Sequence, residues 1–315
     1  MTSVVTFYRF AAVAAPDQLR AELHDLAASL GLLGTVLIAE EGINGTLTGE
    51  RGLLEQFIDG LRERPEFKDI QSKHSSAADS NPVFFRLKVR VKPEIVSFGE
   101  HGIDPAARTG EHVGPERWNQ LLEDPEVLVV DTRNAYEIGI GSFPGAVDPQ
   151  TTSFREFPRF VEVNLDPEQH PRVAMFCTGG IRCEKASAYL LARGFAAVYQ
   201  LDGGILKYIE EVAPEANRWR GECFVFDQRV SVDDQLSEGS YQQCFACRRP
   251  LSEQDLASCH YRQGVSCPHC VDELSEDREA AFAERNRQVE LAAARGEQHI
   301  GSAQKKGSEQ KKSSS

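Results

Sequence analysis

The run VAMFCTGGIRCEKASAYLL (173–191) carries the residues best suited to chemistry. A short apolar segment ends at Cys177, followed by Thr178, Gly179, Gly180, Ile181 and Arg182, with helical spacing from about Cys183. A thiol so placed sits at the carboxyl end of a buried strand and at the start of a helix, where open α/β sheets bind ligands. The paired glycines let the backbone curl so that several N–H groups point at one anion. Those amides and the helix dipole favour thiolate over thiol. Arg182 adds a fixed positive charge able to meet an anionic or electron-rich substrate group. A merely structural core cysteine needs neither the glycines nor the arginine. The spacing Cys-x4-Arg is one residue shorter than the Cys-x5-Arg of cysteine phosphatases, and suits a sulfurtransferase-type loop holding a persulfide or similar small group.

Other residues support this centre. Asp131 and Arg133 close the strand VLVVDTR (127–133), whose end should lie beside the Cys177 loop, and Glu137 follows on the same connection. Paired charges near a site are more often structural than chemical, so direct chemistry is the lesser alternative for them. Cys183 either resolves an oxidised Cys177 as a disulfide or is a helix-start thiol without a role. Gly203 and Gly204 read as a tight strand-to-helix turn, with Asp202 a candidate cap.

Two further constellations stand outside this loop. Cys244-x2-Cys247 and Cys267-x2-Cys270 match the spacing of a four-cysteine structural zinc site, with Cys259 and His260 as spare donors between them. In FFRLKVRVKPE (84–94), Arg86, Lys88, Arg90 and Lys92 alternate with Leu87, Val89 and Val91. Period two puts the cations on one strand face at about 6–7 Å spacing, close to that of phosphates along a nucleic-acid strand. The alternative is the solvated face of an edge strand, where lysine guards against aggregation.

The elements that must position these residues follow from periodicity. Residues 1–98 read as βαββαβ: strands at 4–8, 34–38, 46–48 and 83–91, helices at 17–30 and 52–62, and turn chemistry at Gly42-Ile43-Asn44-Gly45. That order predicts a ferredoxin-like α+β domain. Residues 99–113 read as a linker. From 114 to 220 short apolar strands alternate with helices, predicting a parallel sheet covered on both faces. A cysteine-rich zinc-binding module spans 221–284, and the polar run 285–315 is expected to be a disordered tail.

Composition sets the outer bounds. The chain has 315 residues, of which 41% are hydrophobic and 26% charged, as in ordinary globular proteins. No basic segment followed by an apolar run opens the chain, and no stretch is long enough to cross a bilayer, so a cytoplasmic protein without a membrane partner is expected. There the eight cysteines should serve chemistry or metal rather than disulfides. The net charge of −13 argues against a general nucleic-acid binder but leaves room for a local basic stripe.

CTGGIRCEKASAYL (177–190), with DTRNAYE (131–137) before it and YQLDGGI (199–205) after it, resembles a rhodanese domain. More narrowly, with AEEGINGTLTG (39–49), FRLKVRVKPEIV (85–96) and FVFDQRV (224–230), the chain resembles the rhodanese-containing tRNA uridine-34 hydroxylase family over about residues 4–275. The resemblance implies oxidation of uridine 34 in the tRNA anticodon loop to 5-hydroxyuridine by molecular oxygen, with Cys177 as the active-site cysteine. It implies tRNA rather than DNA as partner, and an electron donor whose identity the sequence does not supply. One departure is Ser142 in GSFPGA, where relatives usually have His. No flavin, haem or iron motif is present. Two alternatives remain at this stage: a sulfurtransferase carrying a persulfide on Cys177, and a non-catalytic RNA-binding scaffold.

Overall fold

The computed structural model describes residues 2–77 and 83–296. Two compact units divide it, residues 1–242 and 243–315.

The first unit begins with β1 (Thr2–Phe10), α1 (Pro16–Ser29), β2 (Leu33–Ala39), β3 (Gly42–Gly49), α2 (Arg51–Arg62), β4 (Gln71–Ala77) and β5 (Leu87–Val91). These form one five-stranded sheet in the order β4-β1-β3-β2-β5. All pairs are antiparallel except β2 with β5. Leu19, Leu23, Leu54, Phe57 and Leu61 from the two helices pack with Val5, Phe7, Val36, Ile38 and Leu47 of the sheet into one core. This is the expected ferredoxin-like domain with one reassignment. The fourth strand of the βαββαβ set is β4, and the 83–91 strand is shortened to β5, an added edge strand. β4 reads QSKHSSA, with no apolar alternation to announce it, and its place is set by backbone pairing to β1. The hairpin turn also moves: Ala39 pairs with Gly42, so the chain reverses at Glu40-Glu41 and GING lies within β3. Gly42 takes φ 146°, and a Cβ there would lie 2.0 Å from the Arg9 carbonyl oxygen, so only glycine lets β3 approach β1.

The α/β part comprises β6 (Glu111–Val113), α3 (Pro115–Glu123), β7 (Leu128–Asp131), α4 (Ala135–Ile138), β8 (Gly141–Ser142), α5 (Phe157–Asn164), β9 (Arg172–Phe176), α6 (Ile181–Ala192), β10 (Ala197–Leu201) and α7 (Gly204–Glu211). Its parallel sheet has the order β6-β10-β9-β7. Alternation along β9 sorts its side chains into two layers. Ala174 and Phe176 pack with Trp118, Ile205 and Tyr208. Val173, Met175 and Cys177 pack on the other face with Ala186, Leu190 and Phe157. The side of the sheet that receives Cys177 is thus the side covered by α6.

Both boundaries of this part differ from the expectation. The linker proposed for 99–113 already contains β6, which pairs with β10. The domain also runs past 220: β11 (Arg220–Gly221) pairs with β8, and β12 (Cys223–Phe224) pairs with β13 (Ser231–Val232). Cys223, Val225 and Val232 complete the layer around Trp118, so Cys223 is a core residue of this domain rather than part of a zinc module.

The second unit holds β15 (Pro250–Leu251), paired with β14 (Gln242–Gln243), then α8 (Glu253–Leu256) and α9 (Glu276–Ala294). The expected tail from 285 is corrected over its first part, because α9 continues to Ala294. Its Arg285 donates to the carbonyls of Phe245 (2.8 Å) and Gly264 (2.9 Å), which fastens the helix to the cysteine-bearing loops. The rest of the predicted tail, 297–315, lies outside the described residues. No described helix is long and apolar enough to cross a membrane.

Candidate active site and metal centre

β9 delivers Cys177 to the start of α6, and the loop between them closes on its sulfur. Gly180 takes φ 100°, which turns its N–H toward Cys177 Sγ at 3.1 Å. Cys177 itself exposes no surface. Burial alone would push its thiol up. A hydrogen bond from the Cys183 thiol, the Arg182 guanidinium and the backbone N–H groups of Cys183 and Arg182 outweigh it and hold the group well below the ordinary thiol range. Cys183 is displaced upward by its own burial and by its hydrogen bond and charge interaction with Cys177, so the loop favours ionisation at Cys177 rather than at Cys183. Thr132 Oγ1 lies 3.6 Å from Cys183 Sγ on its other side.

The turn at Gly203-Gly204 does more than start α7. Both residues have positive φ, and a Cβ on Gly204 would lie 2.4 Å from the Cys177 carbonyl oxygen. Ile205 and Leu206 donate backbone N–H groups to the carbonyls of Cys177 (2.9 Å) and Thr178 (3.1 Å). α7 therefore holds the outer side of the loop. Asp202 does not cap that helix; it pairs with Lys207.

Arg182 has both terminal nitrogens engaged by Glu137, at 2.6 and 2.7 Å, in a bidentate pair almost wholly buried. Its charge acts on the loop, while its donors facing Glu137 are not available to a substrate. Arg133 is fully buried and forks onto Asp131 at 2.9 and 2.7 Å, while donating to the carbonyls of Glu137 and Gly141. Ser142 Oγ donates to Asp131 at 2.9 Å, so the serine joins the same brace. Asp131, Arg133 and Glu137 thus form a buried scaffold under the loop.

The ferredoxin-like domain contributes residues that sequence reasoning missed. Lys73 on β4 donates to the carbonyls of Gly179 (2.9 Å) and Gly203. Burial brings its ammonium down to about 8, with the Cys177 and Asp202 charges pulling the other way. Tyr8 on β1 donates to Glu184 (3.2 Å), which also bonds His112 (3.0 Å), Thr109 (2.9 Å) and Gln200 (3.2 Å). Lys185, 3% exposed at its side chain, bridges Glu41 (2.8 Å) and Glu94 (2.7 Å). Glu41 belongs to the AEEGINGTLTG motif and also accepts from Ile95 N–H at 2.7 Å. That motif therefore holds α6 against the first domain. Nothing local in QSKHSSA marks Lys73, because its role depends on a contact 106 residues away.

The two domains enclose a cavity of about 1170 Å³ lined by Tyr8, Asn44, Lys73, Cys177, Arg182 and Phe226, among others. Arg86, Lys88, Arg90 and Lys92 are brought together elsewhere, all four exposed, Lys88 and Arg90 within edge strand β5 and Arg86 and Lys92 flanking it, with Val89 buried. The row forms as its alternation required, but it does not line the cavity.

In the second unit, Cys244, Cys247, Cys267 and Cys270 bring their sulfurs within 4.8 Å of one another. Two of the separations are 3.7 and 3.6 Å. Four thiolates around zinc at about 2.3 Å would stand about 3.8 Å apart, so the donors present fit a closed, tetrahedral structural site. Cys259 is exposed and outside the cluster, and His260 is not part of it. All eight cysteines are free of disulfides.

Comparison with known families agrees with this partition. Residues 2–95 match the UPF0176 acylphosphatase-like domain, and residues 115–211 match the rhodanese-like domain. Among solved structures, the rhodanese-like domain of an Anabaena protein is 17% identical, covering 36% of this chain and 80% of that one, with a TM-score of 0.30. An acylphosphatase from Bacillus subtilis is 17% identical, covering 29% and 99%, with a TM-score of 0.23. A rhodanese-related protein from Thermoplasma volcanium is 20% identical, covering 33% and 95%, with a TM-score of 0.27. The chain thus carries a UPF0176 acylphosphatase-like domain followed by a rhodanese-like domain, which is the architecture of the UPF0176/tRNA hydroxylase family.

Proposed function

We propose that this protein hydroxylates uridine 34 of the tRNA anticodon at C5, with Cys177 as the active-site cysteine. The observation that carries the reading is the cavity over Cys177. At about 1170 Å³ it exceeds the roughly 300–1,000 Å³ that holds a drug-sized ligand, and walls from two domains form it. A sulfur donor such as thiosulfate would leave most of this space unused, whereas it is ample for an extruded nucleotide. Inserting one atom of molecular oxygen leaves the other as water and consumes two electrons, which a donor outside this chain supplies. The row Arg86, Lys88, Arg90 and Lys92 gives the phosphates of the anticodon arm a cationic track. Zinc at the four cysteines holds the second unit together and takes no part in the chemistry.

The deciding experiment is mass spectrometry of wobble-position nucleosides in tRNA from cells with the gene, without it, and with Cys177→Ser. Loss of 5-hydroxyuridine in the last two is expected; serine keeps the size of cysteine, but its hydroxyl stays neutral. Wild-type levels in a folded Cys177→Ser protein end the proposal. A second reading, sulfur transfer through a Cys177 persulfide, is favoured by the Gly180 N–H aimed at the sulfur. Thiocyanate formed from thiosulfate and cyanide, with unchanged wobble nucleosides, would select it.

A further inference from the structure

Phe226 is an exception in its surroundings. The run from Cys223 to Val230 is otherwise buried or half-buried, yet Phe226 is 63% exposed. Among the described residues the other exposed large apolar side chains are Leu33, Val163, Phe245 and Leu291, and none of these lines the Cys177 cavity. Phe226 does.

Its presentation is rigid. Val225 N–H donates to Val230 carbonyl at 2.9 Å, closing a turn between β12 and β13. Within the turn Asp227 accepts from the Arg229 backbone N–H (3.0 Å), Nε (3.0 Å) and a terminal nitrogen (2.6 Å). Arg229 reaches on to Ser75 Oγ of β4 at 3.3 Å. Val230 takes φ 65°, a conformation a β-branched residue adopts only when its surroundings impose it. Phe224 meets the Phe226 ring edge-on at 5.1 Å, and the Arg182 guanidinium lies over the ring at 5.8 Å. The same arginine that anchors the Cys177 loop thus fixes the orientation of the aromatic ring.

An exposed aromatic ring, held in a hydrogen-bonded turn and lining the same cavity as Cys177, is what an unstacked nucleobase requires. Proteins that read single-stranded RNA replace the lost base stacking with an aromatic side chain. We infer that Phe226 is the stacking platform for the pyrimidine base that enters the cavity, positioning its ring edge toward Cys177. The inference rests on the tRNA reading above and deepens it by naming the residue that receives the base. Phe226 is a positioning residue, and no bond to it forms or breaks.

The test uses the full chain and a synthetic anticodon stem–loop RNA carrying either uridine or an abasic ribose at position 34. Wild type should bind the uridine form more tightly by about 5- to 150-fold, the range for one base on one aromatic ring. Phe226→Ala should bind both forms equally, Phe226→Leu should lose most of the preference despite its apolar bulk, and Phe226→Trp should keep it. Circular dichroism controls for folding. Cells carrying Phe226→Ala should show at least a fivefold drop in 5-hydroxyuridine, and Phe226→Trp should restore it. A Phe226→Ala protein that keeps both the wild-type preference and the wild-type nucleoside level overturns the stacking role while the hydroxylase reading stands. Wild-type protein with no preference for the base, together with 5-hydroxyuridine that is independent of the gene, overturns both.

Discussion

At Cys177 the loop favours thiolate over thiol on a sulfur that exposes no surface, and Cys183 is the neighbour whose contribution is easiest to isolate. Because the Cys183 thiol donates to the Cys177 sulfur, Cys183→Ala should move the Cys177 ionisation back toward the ordinary value of about 8.5. The ultraviolet absorbance of the thiolate, read as wild type minus Cys177→Ser across pH, reports this directly. In wild type the signal should be present at neutral pH and disappear only in acid. The sign follows from linkage: a depressed pKa gives stability that is complete above the unfolded value and is lost as pH falls through the folded one. A wild-type midpoint at or above the ordinary value contradicts the assignment. Glu137 offers a second residue-level test. Its removal strands the buried Arg182 charge, so Glu137→Ala should cost about 3–5 kcal/mol in denaturant unfolding. A loss below about 1 kcal/mol, the worth of an exposed ion pair, would mean that solvent reaches Arg182.

At the scale of elements, the two edge strands of the first sheet have different assignments. β4 turns Lys73 toward the Cys177 loop, and β5 with the residues flanking it displays the four cations. If the β5 row carries tRNA phosphates, changing Lys88 and Arg90 together to Glu should weaken tRNA binding by about tenfold or more and flatten its dependence on salt. The domain should stay folded, because Val89 keeps its place in the core. Affinity across a salt series, with circular dichroism alongside, is the measurement; unchanged affinity and slope would return the row to a solvated edge. The periodicity that revealed β5 is the property β4 lacks. A strand whose side chains are Gln, Ser, Lys and His gives no apolar alternation, so only its backbone pairing to β1 declares it.

For the whole molecule, the two units have separate cores, and that of the second includes Cys244, Leu251, Cys267 and Cys270. A core this small would gain folding free energy from a zinc ion held by the four thiolates. Freshly purified protein should contain about one zinc ion per chain. Chelation should expose residues 243–296 to protease and leave residues 2–242 resistant. Protein free of zinc with an intact second unit would sink this expectation.

The sequence by itself determined the parts whose information is local. Glycines and an arginine within six positions of Cys177 specified an anion-cradling loop, paired CxxC spacing specified a sulfur cluster, and alternation specified the cationic face of β5. The bracing role of Asp131, Arg133 and Glu137 came instead from the resemblance to rhodanese domains, since spacing placed them only near the loop. Tertiary structure alone decided what crosses between segments. It spent Arg182 on Glu137, set Gly204 against the Cys177 carbonyl, brought Lys73 and Tyr8 from another domain, and carried α9 past 285 through the bonds of Arg285. Each of these is a polar contact between residues far apart in the chain. Neither period nor propensity registers such a contact, because its energy exists only after the packing that brings the partners together.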